Sequence, residues 1–343
     1  PIYNNTDLEH ALKEFRACEY GEFIQVTENI KVMFIQNQHI PGATSVYVVI
    51  SYEGEEDITL LFTGDYNLVN AFSSKQTTIP SFILEKPLSL MVLESTYGSR
   101  KSKDVEKGLF KREIEELVNE RKTIVIPAFA YGRYQNVLWE LKQLEEEGSL
   151  ADVPIFMDGG LGLDLTYLWQ YLDTVEIKDF IPKRAVAAED RKQVMSLNIP
   201  KIIVTTSGMG NFGPAREYIP RYISEKWAAI YLTGYSSPDS NSRKILEAQE
   251  GEIIKVSGVV KEKHAIVKCT CEFSSHARKE ALISFVKQFK KINFIVLNHG
   301  EEESKNSLSQ ACYELDNVKD VGIMDGMTDF RINCYGLSKT FRI

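Results

Sequence analysis

Four times between residues 123 and 233 a short run of apolar, β-branched residues is followed by a segment patterned like a helix. The runs are 123–126, 154–157, 201–205 and 228–233. After the first, Tyr134, Val137, Leu138, Leu141 and Leu144 recur on one helical face. Ahead of it, Val105, Leu109, Phe110, Ile114, Leu117 and Val118 do the same across 104–120. Alternation of this kind leaves few architectures open: the strands run parallel, and the crossover helices cover the sheet. The first hundred residues differ in texture and read as mostly strand, at 31–35, 45–51 and 58–62. Val46, Val48 and Ile50 alternate as a half-buried strand requires, and Gly54 with Glu55-Glu56-Asp57 supplies a turn. Residues 88–93 read as a buried strand ending at Glu94. Beyond Cys271 the pattern predicts helix 277–290, strand 293–297, helix 304–315 and strand 321–324.

The 343 residues suffice for one large core or two ordinary ones, and 43% hydrophobic with 26% charged residues is a soluble globular composition. No apolar run reaches the roughly eighteen residues of a membrane helix. No secretory signal is visible, and five scattered cysteines (Cys18, Cys269, Cys271, Cys312, Cys334) form no disulfide framework. The expected compartment is the cytoplasm. Cys269 and Cys271 fall in an alternating run, 265–273, and are expected on one sheet face as packed thiols, with a metal or redox pair as the alternative. A net charge of −8 excludes a broad basic face for duplex binding. A nucleic-acid substrate then needs metal ions and a local basic groove. The one basic run, Arg100, Lys101, Lys103, Lys107, Lys111 and Arg112, reads as a solvated helix face, with phosphate contacts as the alternative.

Chemistry-bearing residues gather at the ends of strand-like runs, where α/β proteins mount functional groups on a rigid frame. They are His39 in His39-Ile40-Pro41-Gly42, Asp65 in Thr63-Gly64-Asp65, Glu94 in Glu94-Ser95-Thr96-Tyr97-Gly98, His276 in Phe273-Ser274-Ser275-His276-Ala277, and His299 in Asn298-His299-Gly300-Glu301. Imidazoles with a carboxylate able to bridge suit a metal pair, and Asp65 after the tight Gly64 suits bridging. A carboxylate–imidazole pair, Glu94 with His276, can hold a tautomer and deliver a proton. Arg133, after Gly132 at a strand-to-helix turn, either reaches a phosphate or braces an interface. Ser207-Gly208-Met209-Gly210 forms an ordinary turn or presents backbone N–H groups to an anion.

Taken in order, these motifs resemble the β-CASP ribonucleases of the metallo-β-lactamase superfamily, which include RNase J and the nuclease subunit of the cleavage and polyadenylation specificity factor. The resemblance runs from about Asp7 to Gly300 or beyond. It also takes in Pro127-Ala128-Phe129-Ala130-Tyr131-Gly132-Arg133-Tyr134-Gln135, Thr206-Ser207-Gly208-Met209, Gly213-Pro214-Ala215, and Thr233-Gly234-Tyr235 with Arg243. It implies an α/β fold: a metallo-β-lactamase αββα sandwich, N-terminally incomplete, carrying an inserted β-CASP domain of parallel sheet flanked by helices. The implied domains are 1–98 and 271–343 (lactamase-like) and 99–270 (β-CASP). It further implies two Zn2+ ions, with His39 on the first, Asp65 bridging, His299 on the second, and Glu94 with His276 as the acid pair. Arg133, Ser207 and Gly208 are then substrate-binding candidates. The implied reaction is hydrolysis of RNA phosphodiesters, with single-stranded RNA the preferred partner, DNA still open, and a homo-oligomer compatible.

The chain also departs from the family pattern. A His-x-His-x-Asp-His motif, expected upstream of His39, occurs nowhere in the sequence. Each zinc is then left with about two protein ligands where three or four are usual. The expectation is weak metal binding and no turnover by this chain as written, with a non-catalytic β-CASP scaffold subunit as the alternative. Arg278 stands where the family often has aspartate, and Lys101-Ser102-Lys103 follows Arg100 where a histidine often occurs.

Overall fold

Strands form where β-branched residues alternate, and the β-branched run at the front of the chain builds an antiparallel meander. The computed structural model describes residues 2–150, 152–324, 328–333 and 336–341, the last two segments as backbone strands only. Cys334 and the remainder of 325–343 lie outside the described residues. The chain divides into two compact units, Pro1–Leu68 with Thr77–Arg100 and His276–Ile343, and Val69–Gln76 with Lys101–Ser275.

The first unit holds a seven-stranded sheet in the order Phe23–Gln25, Ile30–Gln36, Thr44–Ile50, Ile58–Phe62, Leu90–Glu94, Ile295–Asn298, Val321–Ile323. The first four strands pair antiparallel, and from Ile58–Phe62 onward pairing is parallel. Helices Lys279–Val286 and Glu302–Tyr313 supply Leu282, Phe285, Val286 and Leu308 to a core that also takes Met33, Tyr47, Val49, Leu61, Met91, Leu93 and Leu297. The strand at 45–51 alternates as expected, but its deeper face is Ser45, Tyr47 and Val49. Val48 and Ile50 pack on a smaller cluster with Ile58, Leu60, Leu90 and Val296. Residues 88–93 are not one strand: Ser89 interrupts them, exchanging backbone and hydroxyl hydrogen bonds with Thr59. A helix, Asn5–Lys13, precedes the meander; an Asn4–Asp7 capping box starts it, and it buries no side chain.

The second unit is a six-stranded, wholly parallel sheet ordered Ala185–Ala187, Ile155–Asp158, Ile202–Thr205, Thr123–Pro127, Ala228–Leu232, Ile266–Cys269. Both faces are covered, as parallel sheets require. Ile124 and Ile126 pack beneath helices Leu109–Asn119 and Arg133–Glu146, while Val125 faces Ala215–Tyr222 and Ile245. Three sequence expectations are corrected here. The helix within 104–120 begins only at Leu109, after Gly108 in the left-handed region (φ +75°). The basic run therefore does not share one helical face; Lys111 binds Gln143 and Glu147, and Arg112 binds Glu106. The strand through 265–273 ends at Cys269, so Cys271 lies outside it. Cys18, Cys269, Cys271 and Cys312 remain thiols; burial pushes Cys312 up to about 12.

Candidate metal and acid–base site

Sheet register explains why five residues far apart in sequence meet. Three adjacent parallel strands of the first unit end together: Phe62 pairs with Val92, and Glu94 with Asn298. The residues just past those ends, Asp65 and His299, therefore lie beside Glu94. The antiparallel hairpin reaches the same edge, because Gln36 pairs with Thr44 and Val46 with Phe62. Its loop carries His39. The returning chain is tied to this edge as well. Ala277 N–H donates to the Tyr66 carbonyl at 2.7 Å, and Tyr97 forms a parallel bridge with Arg278. That anchors His276.

Local chemistry fixes each side chain. Gly64 has φ +57°, and a Cβ there would meet the Thr44 carbonyl oxygen at 3.1 Å, so glycine makes the turn that presents Asp65. The Thr63 hydroxyl donates to the Gly64 carbonyl (2.8 Å) and accepts the Glu94 N–H (3.1 Å). Glu94 is buried and accepts two backbone N–H groups. Tyr66 N–H donates to Oε1 and Thr96 N–H to Oε2, each at 3.1 Å, and His276 Nδ1 sits 3.2 Å from both oxygens. His299 holds φ +52°, a conformation uncommon outside glycine. Its carbonyl accepts both the N–H and the hydroxyl of Ser95 at 2.9 Å.

The imidazoles and carboxylates converge. His39 and His276 rings are 4.6 Å apart between centroids, and His276 and His299 are 5.5 Å apart. The Asp65 carboxylate offers a different oxygen to each of two histidines: Oδ1 lies 2.7 Å from His299 Nδ1 and Oδ2 lies 3.7 Å from His39 Nε2. Two overlapping donor groups result, His39–Asp65–His276 and Glu94–His276–His299, each with ligand atoms within 4.8 Å of one another. Imidazole nitrogen with carboxylate oxygen is the donor chemistry of zinc. The split of Asp65 between two imidazoles suits a bridging carboxylate. The residues present fit the group.

Two supporting residues, Asn37 and Thr96, are not singled out as site residues from sequence. Buried Asn37 donates to the Thr63 and Asp65 carbonyls, both at 3.1 Å, and accepts the His39 N–H at 3.1 Å. It couples the two loops that carry the first pair of donors. The available signal was a polar residue directly after a strand and two before a histidine. The Thr96 hydroxyl lies 3.4 Å from His299 Nδ1.

The other three candidates belong to the second unit. The Arg133 guanidinium packs so closely on Gly234 that a Cβ there would lie 2.3 Å from Nη1. Thr233, beside it, bonds the Pro127 carbonyl at 3.2 Å. Ser207 and Gly208 lie in a turn closed by Ser207 N–H to the Phe212 carbonyl (3.2 Å) and Gly210 N–H to the Ser207 carbonyl (3.0 Å). Ser242 hydroxyl donates to the Gly208 carbonyl at 3.0 Å.

Comparison with known proteins agrees with this architecture. Residues 134–245 match the Beta-Casp domain and residues 266–322 the Zn-dependent metallo-hydrolase RNA specificity domain. The chain is 29% identical over 324 residues to an RNase J-like protein of Methanocaldococcus jannaschii, covering 91% of this chain and 73% of that protein. It is 27% identical over 317 residues to RNase aCSPSF2 of Saccharolobus solfataricus, covering 90% and 60%. Against transcription termination factor FttA of Methanococcus maripaludis it is 25% identical over 335 residues, covering 91% and 52%. The chain thus spans between about half and three quarters of the length of these relatives. With two sheets of the expected kinds, both domain matches and relatives along nine tenths of its length, the chain is similar to β-CASP proteins of the metallo-β-lactamase fold.

Proposed function

We propose that the protein hydrolyses RNA phosphodiesters at the strand-end site of its first unit, with a pair of zinc ions as cofactor. The observation that carries this reading is the Asp65 carboxylate standing between His39 and His299, with the Glu94–His276 pair alongside. His39 and Asp65 would hold one ion and Asp65 and His299 the other. Bound zinc supplies Lewis acidity toward a phosphodiester oxygen and activates water near neutral pH. The chain's own groups do the rest. Glu94, anchored by two backbone N–H groups, holds the His276 ring through Nδ1, which directs proton exchange with a leaving oxygen to Nε2. Asn37 keeps the His39 and Asp65 loops in register. The domain organisation read from sequence, 1–98 and 271–343 around 99–270, belongs to the same proposal. So do a single-stranded RNA substrate contacted by Arg133, Ser207 and Gly208, a cytoplasmic location and a homo-oligomer. Among the described residues no helix is long and apolar enough to cross a membrane.

A second reading is a non-catalytic subunit of an RNA-processing assembly, in which the strand-end residues hold no metal. One experiment separates the two: equilibrate the chain with zinc, remove free ion, measure bound metal, and incubate with end-labelled RNA. Stoichiometric zinc with cleavage products supports the nuclease. Zinc-free protein that leaves RNA intact supports the scaffold.

A further inference from the structure

Beside His276, within the same unit, two arginines share one tyrosine ring. The Arg100 guanidinium carbon lies 4.4 Å from the centre of the Tyr97 ring and that of Arg278 lies 5.6 Å from it. The Tyr97 ring meets the His276 ring edge-on, with centroids 6.0 Å apart. Tyr97 is buried, so it is a platform rather than a contact surface. The backbone knits the group together: Tyr97 bridges to Arg278, and Lys279 N–H donates to the Arg100 carbonyl at 3.2 Å. Arg278 also sits at the N-cap of the Lys279–Val286 helix and makes no side-chain cap bond. That position favours Ser, Thr, Asp or Asn, and the helix dipole disfavours a cation there.

We infer that Arg278 and Arg100, stacked on Tyr97, form a phosphate clamp that holds the backbone of a single-stranded RNA next to His276. The inference rests on the RNA-hydrolase reading above. A guanidinium keeps its charge at any working pH, is weakly hydrated, and presents a planar fork that matches a phosphate. Stacking on a buried ring orders that fork before the strand arrives, which lowers the entropy cost of binding. Both arginines act as substrate-positioning residues.

The test measures binding of a labelled single-stranded RNA oligonucleotide by the full chain across a salt series. Arg278→Gln and Arg100→Gln are compared with Lys291→Gln, which removes the same charge from an exposed lysine ahead of the Ile295–Asn298 strand, at the opposite end from His299. Each arginine variant is expected to bind about tenfold more weakly and to flatten the slope of log K against log salt by about 0.7. Its zinc content and melting temperature should match the parent, and Lys291→Gln should behave like the parent. Arg278→Lys keeps the charge without the stacked fork and is expected to keep the slope while losing affinity. If Arg278→Gln binds like Lys291→Gln, or Arg278→Lys like the parent, the clamp is wrong and the hydrolase reading survives. If the parent itself binds no RNA at any salt, both fall together.

Discussion

Each unit places a carboxylate at the C-terminal end of a parallel strand, and the two carboxylates keep different company. In the second unit Asp158 closes the Ile155–Asp158 strand and is only 6% exposed. Arg191 grips both its oxygens, at 2.8 and 3.2 Å, and the Tyr218 hydroxyl adds a third bond at 2.8 Å. Burial raises the tyrosine's pKa, so the hydroxyl stays protonated and donates. Asp158 is saturated by permanent donors and is a structural pin. In the first unit the Asp65 side chain is 41% exposed and its neighbours are the imidazoles of His39 and His299, groups able to bind metal. The same strand-end position thus serves rigidity in one sheet and chemistry in the other; the partners decide which.

That contrast predicts separable effects. The largest belongs to Asp65→Ala: zinc binding and RNA cleavage should vanish together while the melting temperature stays near that of the parent, since no buried partner is stranded. Retained zinc with unimpaired cleavage would falsify the bridging assignment. Next, His276→Ala should lower the cleavage rate about 10²–10⁴-fold, the span of a general acid, with zinc content unchanged; loss of metal would instead move His276 into the ligand set beside His39 and Asp65. Asp158→Ala should act in the opposite sense. It removes two bonds from Arg191 and the acceptor of the Tyr218 hydroxyl, leaving the guanidinium with Glu217, costing about 3 kcal/mol, visible in urea unfolding, with zinc content untouched. The smallest effect is Gly98→Ala. A Cβ there would lie 2.4 Å from the Ser304 carbonyl oxygen and 2.8 Å from Leu308 Cβ, so overpacking should cost about 1–3 kcal/mol. Metal binding that dropped in step with stability in this variant would show that the site and its frame are not separable.

Much of this was legible before any coordinates. The switch from strand-rich texture to strand–helix alternation marks two kinds of sheet, because side-chain period reports which faces are buried. Asp65, Glu94 and His299 stood out because each ends or follows an apolar run, and those runs are parallel strands that end together, whereas His39 arrives on an antiparallel hairpin loop and His276 on the returning chain. Less visible were features that depend on what crosses from elsewhere. The Thr44–Ile50 strand alternates perfectly, yet periodicity cannot say which of its two faces meets the helices and which the smaller cluster. Gly108 stops the helix short of the basic run, and Asn37 is an unremarkable polar residue until the Thr63 and Asp65 carbonyls arrive beside it.

By itself, then, the order of residues determined the element types, the parallel and antiparallel halves, and the chemical kinds of group offered at the strand ends, since these follow from propensity and period. Only the tertiary structure decided which of those groups meet. Register set Glu94 beside Asn298 and put Asp65 between two histidines, and folding laid Arg100 and Arg278 on one ring. Distances between residues two hundred positions apart are consequences of packing, and no local pattern encodes them.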